Sequence, residues 1–166
     1  MSMAFEVIVL TAPFEEVWVA FCNISSPLTF DVRENKAGWS MIYRMYLGKF
    51  EGVSDEVDRV GEDLSRKLGK TLVVRYYSTT CYHSASMYEH GKRLSSFGED
   101  DEIWVPLDEE GRHILDAGMF KLSELDDEVE YDTLRTAIDL GLQAMGVNST
   151  LRDLYAAVYE AYNPGI

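Results

Sequence analysis

The sequence predicts a single α+β domain, with an antiparallel sheet, helices packed on it and two C-terminal helices. Three observations lead there. The 166 residues make one ordinary domain, and 46% hydrophobic with 27% charged residues can bury a sizeable core, which excludes general disorder. Strand-like runs follow one another in the middle of the chain and helical patterns close it, without the regular alternation of a parallel βαβ sheet. No internal repeat, Gly/Ser linker or low-complexity tract divides residues 1–166.

Phe5 to Leu10 is apolar and β-branched, which predicts a strand. Thr11-Ala12-Pro13 then opens a helix: Thr11 can cap, Pro13 suits the first turn, and Glu15 and Glu16 favour the positive helix start. Phe14, Val17, Trp18 and Phe21 recur at helical spacing and predict one inward face. Residues 28–38 read as irregular. Trp39 to Leu47 alternates (Trp39, Met41, Tyr43, Met45, Leu47), which favours a strand over the helix that the i, i+4 pair Ile42 and Tyr46 would also permit. Ser54 can cap a second helix carrying Val57, Val60, Leu64 and Leu68, closed by Gly69. Thr71–Tyr77, Tyr82–Glu89 and Lys92–Phe97 follow as strands, the last two forming a hairpin in which Gly91 supplies the positive φ. Short apolar pieces separated by acids occupy 99–130. A helix from Tyr131 carries Leu134, Ile138, Gly141 and Met145 on one stripe and ends at Gly146. A last helix, capped by Asn148 or Ser149, turns Leu151, Leu154, Tyr155, Val158 and Tyr162 inward.

The formal charge is −14, from 15 bases against 29 acids. That balance argues against direct nucleic-acid binding, which needs a basic face. No apolar run approaches the roughly 20 residues of a membrane span, and Val7–Leu10 lacks the basic flank of a secretion signal. With only Cys22 and Cys81, a disulfide framework is not expected; both read as reduced thiols of a cytoplasmic protein, Cys22 as a small core hydrophobe.

The charge is unevenly spread. Residues 1–98 hold 12 acids and 11 bases, whereas residues 99–130 hold 13 acids against Arg112 and Lys121 alone, a net of −11. The knots Glu99-Asp100-Asp101-Glu102 and Asp108-Glu109-Glu110 flank Trp104. Two readings stand beside each other: solubilising surface, or a docking face whose acids steer a basic protein and whose Trp104 anchors it. A cation site has no ordered Asp-x-Asp-x-Asp-Gly loop to support it.

Catalytic signatures are absent. There is no His-x-x-x-His, Cys-x-x-Cys, P-loop, Gly-x-Gly-x-x-Gly or Gly-x-Ser-x-Gly, so no catalytic residue, metal or cofactor is assigned. Cys81 and His83 would share a strand face, which makes a thiolate–imidazole pair conceivable but non-specific. Tyr43, Tyr46, Tyr76, Tyr77, Tyr82 and Tyr88 fall on predicted strands, either as sheet cover or as contact residues of an interface.

Two resemblances follow from these residues. Asp63-Leu64-Ser65-Arg66-Lys67-Leu68-Gly69 leading into Thr71-Leu72-Val73-Val74, with the hairpin Met87-Tyr88-Glu89-His90-Gly91-Lys92-Arg93, resembles small bacterial proteins similar to immunity proteins of polymorphic toxin systems. That resemblance implies an acidic, cytoplasmic, single-domain α+β inhibitor, not an enzyme, that covers a basic toxin surface. The partner-binding residues would then be Glu99, Asp100, Asp101, Glu102, Trp104, Asp108, Glu109 and Glu110. Ile8 to Trp18, with its Ala-Pro-x-x-x-Val-Trp helix start, is similar to the opening of START-like helix-grip proteins. It implies the alternative of a small-molecule-binding protein or enzyme with a cavity lined by Trp18, Trp39, Tyr43 and Met45.

Overall fold

A computed structural model describes residues 3–35, 37–47, 55–77, 82–97, 102–103, 120–121, 138–139, 141–143 and 145–162. Strand β1 (Met3–Leu10) leads into helix α1 (Phe14–Cys22). Strands β2 (Asp31–Glu34) and β3 (Ser40–Leu47) follow, then helix α2 (Glu56–Leu68). Strands β4 (Lys70–Tyr77), β5 (Tyr82–Glu89) and β6 (Lys92–Phe97) complete the sheet. Two-residue strands β7 (Glu102–Ile103) and β8 (Phe120–Lys121) pair apart from it. Helical backbone at 138–139 and 141–143 precedes the last helix, α3 (Leu151–Tyr162).

The six-stranded sheet is antiparallel throughout, in the order β2-β3-β1-β4-β5-β6. β1 lies between β3 and β4, and the βαββαβ run from β1 to β4 is a double split βαβ unit of ferredoxin-like connectivity, extended at one edge by the β5–β6 hairpin. The fold is therefore α+β, as the order of elements predicts.

Period-two alternation sorts the strand residues into two cores. Phe5, Val7 and Val9 of β1 face the C-terminal helices with Met41, Tyr43, Leu72, Val74, Met87, Leu142, Leu154 and Val158. Ile8 and Leu10 face α1 and α2 with Val17, Ala20, Ile42, Val57, Val60, Leu64 and Val73. Burial on both faces explains why β1 is nearly continuous in apolar residues. Tyr155 fastens α3 to the sheet by edge contacts with Phe5 (4.9 Å) and Tyr76 (4.5 Å).

The structure departs from the sequence reading at several points. β2 occupies part of the stretch read as irregular: only Val32 turns inward on this four-residue edge strand, so no alternation shows in the sequence. Pro13 occupies the cap position of α1, and no side-chain bond caps that helix, so Thr11 is not the cap. Thr150, rather than Asn148 or Ser149, caps α3. Its hydroxyl accepts from the Asp153 N–H (3.3 Å) while the Asp153 carboxylate accepts from the Thr150 N–H (2.9 Å), a reciprocal capping box. Cys22 is exposed, not a core hydrophobe. Of the strand tyrosines, Tyr43 and Tyr88 are buried and Tyr76 packs against the core, which gives them the sheet-cover role. Ser54, Cys81 and Leu134 lie outside the described residues.

The hairpin turn between β5 and β6 has positive φ at both His90 (50°) and Gly91 (81°), and the Gly91 N–H donates to Ser65 Oγ (2.9 Å) at the end of α2. A different constraint makes Gly61 necessary. Helix α2 approaches β4 so closely there that a Cβ would stand 2.5 Å from Val73 Cγ2, and Thr71 Oγ1 donates to the Gly61 carbonyl (2.8 Å). Gly61→Ala is expected to destabilise the fold by about 1–2 kcal/mol in urea denaturation, because overpacking outweighs the gain in helix propensity. Adding Val73→Ala should cost less in the Gly61→Ala background than in the wild type, as a favourable coupling in the double-mutant cycle.

Candidate functional site

Alternation places one charged side chain of β1, Glu6, on the same face as Ile8 and Leu10, where it is 1% exposed. Register sets it opposite Arg44 on β3 and Arg75 on β4. Arg44 Nη1 lies 3.6 Å from Glu6 Oε2, and its guanidinium carbon sits 5.8 Å from the centre of the Phe30 ring. Arg75 pairs with Asp58 in the first turn of α2, and Tyr88 Oη donates to the other Asp58 oxygen (2.8 Å). A polar row thus crosses four strands, β3, β1, β4 and β5, beneath α2. Burial, and next the adjacent Asp58 charge, push the Tyr88 hydroxyl well above its usual 10.0. Tyr88 therefore stays protonated and keeps donating. The row clamps α2 to the sheet, and its described charges meet opposite charges.

The outer surface of α1 has a different character. Trp18 is 50% exposed and Val19 61%, while Val17 and Ala20 are buried. The predicted inward face keeps Val17 and Phe21, but Ala20 takes the place expected of Trp18, a turn of about half a residue position on the helix. Beside Val19 runs a groove of about 390 Å³ between α1 and the end of α2. Val19, Ala20 and Leu68 provide its apolar lining, Glu15 and Glu16 stand along one rim, and Lys67 on the other. The exposed Trp18 and Val19 on one helix, with an apolar, charge-rimmed groove beside Val19, have the composition of a protein-contact surface. The sequence hid it because Phe-Glu-Glu-Val-Trp-Val-Ala-Phe-Cys is apolar nearly all round, so no single inward face is defined.

Several other described acids, those of α2 and Glu89, are matched to bases. Arg59 pairs with Glu56 and with Asp63 (2.8 Å), Arg66 with Asp63 and Glu62 (3.4 Å), and Lys70 with Glu89 (3.9 Å). Of the residues predicted to bind a partner, Glu102 begins β7, in register with Lys121 of β8. Glu99, Asp100, Asp101, Trp104, Asp108, Glu109 and Glu110 lie outside the described residues. His83 is on β5 opposite Tyr76, and its proposed partner Cys81 is not described. The cavity predicted from Trp18, Trp39, Tyr43 and Met45 is not assembled. Trp18 projects from α1 on one side of the sheet, while Trp39, Tyr43 and Met45 belong to the core on the other. Among the described residues no group of three or more His, Cys, Asp or Glu could hold a metal ion, and no helix is long and apolar enough to cross a membrane. Comparison of the chain with protein-family models, with curated proteins and with solved structures returns no match.

The clamp makes stability depend on alkaline pH. Unfolded Tyr88 ionises near the ordinary value of 10.0, whereas the folded residue holds its proton to higher pH. Its stabilising contribution is thus complete below pH 10 and is lost as the pH rises beyond it. Urea denaturation should show this alkaline loss diminished in Tyr88→Phe. In ultraviolet difference titration, Asp58→Asn should bring the Tyr88 transition down only part of the way, because burial is the larger cause.

Proposed function

We propose that this chain is a non-enzymatic acidic binding protein of immunity type, which covers a cationic surface of a protein partner such as a toxin. The observation that carries the reading is the segregation of charge. The body from 1 to 98 is almost neutral, and many of its acids are paired, while residues 99–130 hold 13 acids against two bases. Like charges gathered in one stretch repel one another and raise the free energy of the folded chain, a cost that attraction to a cationic partner offsets. Trp18 and Val19, with Glu15 and Glu16 beside them, add an apolar anchor with an acidic rim. A cytoplasmic setting suits the exposed Cys22 thiol, which stays reduced there.

The two surfaces have separable roles. Acids act at long range and set the encounter rate; a buried anchor sets the residence time. The partner is to be recovered by affinity capture from the native host with mass spectrometry and then purified for stopped-flow kinetics. Changing Glu99, Asp100, Asp101 and Glu102 together to Ala should slow association about tenfold at low salt and flatten its salt dependence, with dissociation little changed. Trp18→Ala should speed dissociation by about tenfold or more, with association little changed. A partner without a basic surface, or kinetics indifferent to both changes, would refute the assignment.

A further inference from the structure

The outer edge of the sheet at β2 has features that the reading above does not use. The Asn35 N–H donates to the Trp39 carbonyl (2.7 Å), and this sets the parity of the β2–β3 ladder. Residues 31, 33 and 35 bond inward to β3, so Val32 and Glu34 direct their N–H and C=O groups away from the sheet. Among the described residues no strand pairs with that side. Arg33 is in register with Met41, which places it on the face that carries α3. Between β2 and α3 lies a groove of about 260 Å³. Met41, Ala156 and Ala157 line its base, and the two alanines leave room that larger side chains would fill. Glu34 and Arg33 stand on the strand side, Asp153 and Glu160 on the helix side. Arg33, Glu34 and Glu160 make no ion pair among the described residues, and Asp153 bonds only to Thr150 there. Glu34, in register with Ser40, shares the face of Val32, so at this groove the carboxylates of Asp153 and Glu160 face the one guanidinium of Arg33.

A free edge with a helix standing over it is the geometry of strand addition: the edge offers main-chain bonds, and the groove takes alternate side chains. The surplus of carboxylates selects a basic side chain. Four residues bearing Asp31, Arg33 and Glu34 resist indiscriminate pairing, so an added strand must be complementary in charge. We propose that this groove receives an extended basic segment of a protein partner, added to the free edge of β2, with a lysine or arginine directed toward Asp153 and Glu160 of α3. The proposal rests on the cationic-partner reading for the sign of the segment's charge, and on the fold alone for the place where it docks.

The test uses the full chain and two labelled heptapeptides, one alternating lysine and valine, the other threonine and valine. Binding is read by fluorescence anisotropy, and amide hydrogen exchange is read by NMR. The lysine peptide is expected to bind and to slow exchange at the Val32 and Glu34 amides. Glu34→Pro removes an outward N–H without touching the inward ladder, and should weaken binding by about fivefold, through one lost main-chain hydrogen bond. Glu160→Gln should weaken it by about threefold and lessen its salt dependence. Thermal melting confirms that both variants fold. Equal binding of the threonine peptide would overturn the proposal through the charge, a failure shared with the cationic-partner reading. Absence of lysine-peptide binding, an affinity unchanged in Glu34→Pro, or protection confined to α1 or residues 99–130 would overturn it through the geometry, and would leave that reading standing.

Discussion

The structure depends on β1 being buried on both faces. As the inner strand of a double split βαβ unit it pairs with β3 and β4 and sends Phe5, Val7 and Val9 into one core, Ile8 and Leu10 into the other. A strand in that position satisfies its main-chain groups through two ladders and its side chains through two layers of helix. The sheet is in consequence a wall between two surfaces that share no side chains. Groups that sequence reasoning could place in one pocket, such as Trp18 and Tyr43, end on opposite sides of it.

Glu6 is where this arrangement is most exacting. An ionised carboxylate inside a sheet is costly unless opposite charge and hydrogen bonds surround it. Register supplies Arg44 on one neighbouring strand and Arg75 on the other, and Arg75 continues to Asp58 and Tyr88. A slip of one residue would turn Glu6 toward the C-terminal helices and separate it from both arginines. The polar row thus specifies register and fastens α2, whose Gly61 lies against Val73 further along the same face.

These constraints leave the candidate contact surfaces to the periphery. α1 is held by Val17 and Ala20, which frees Trp18 and Val19. The β2 edge is held by one ladder only, which leaves Val32 and Glu34 with outward main-chain groups. Both surfaces are bordered by carboxylates, and both belong to a chain of net charge −14. Acidic rims on separate faces, together with the charge gathered in 99–130, are the features from which we propose a basic partner, attracted by charge and retained by local contacts.

Local chemistry by itself determined much of this protein. The β-branched run of β1, the helical spacing of Val57, Val60 and Leu64, the Gly69 end of α2 and the His90-Gly91 turn are written in neighbouring residues, because each depends on interactions only a few positions apart. Charge segregation is equally a property of the chain. Other features required the tertiary structure. Which side of an almost uniformly apolar α1 turns inward is decided by what the sheet and α2 leave room for, so Trp18 could not be placed from its spacing. The four residues of β2 become a strand only because β3 offers a ladder. The grouping of Glu6, Arg44, Asp58, Arg75 and Tyr88 exists only through register, since pairing across a sheet joins positions that no local pattern connects.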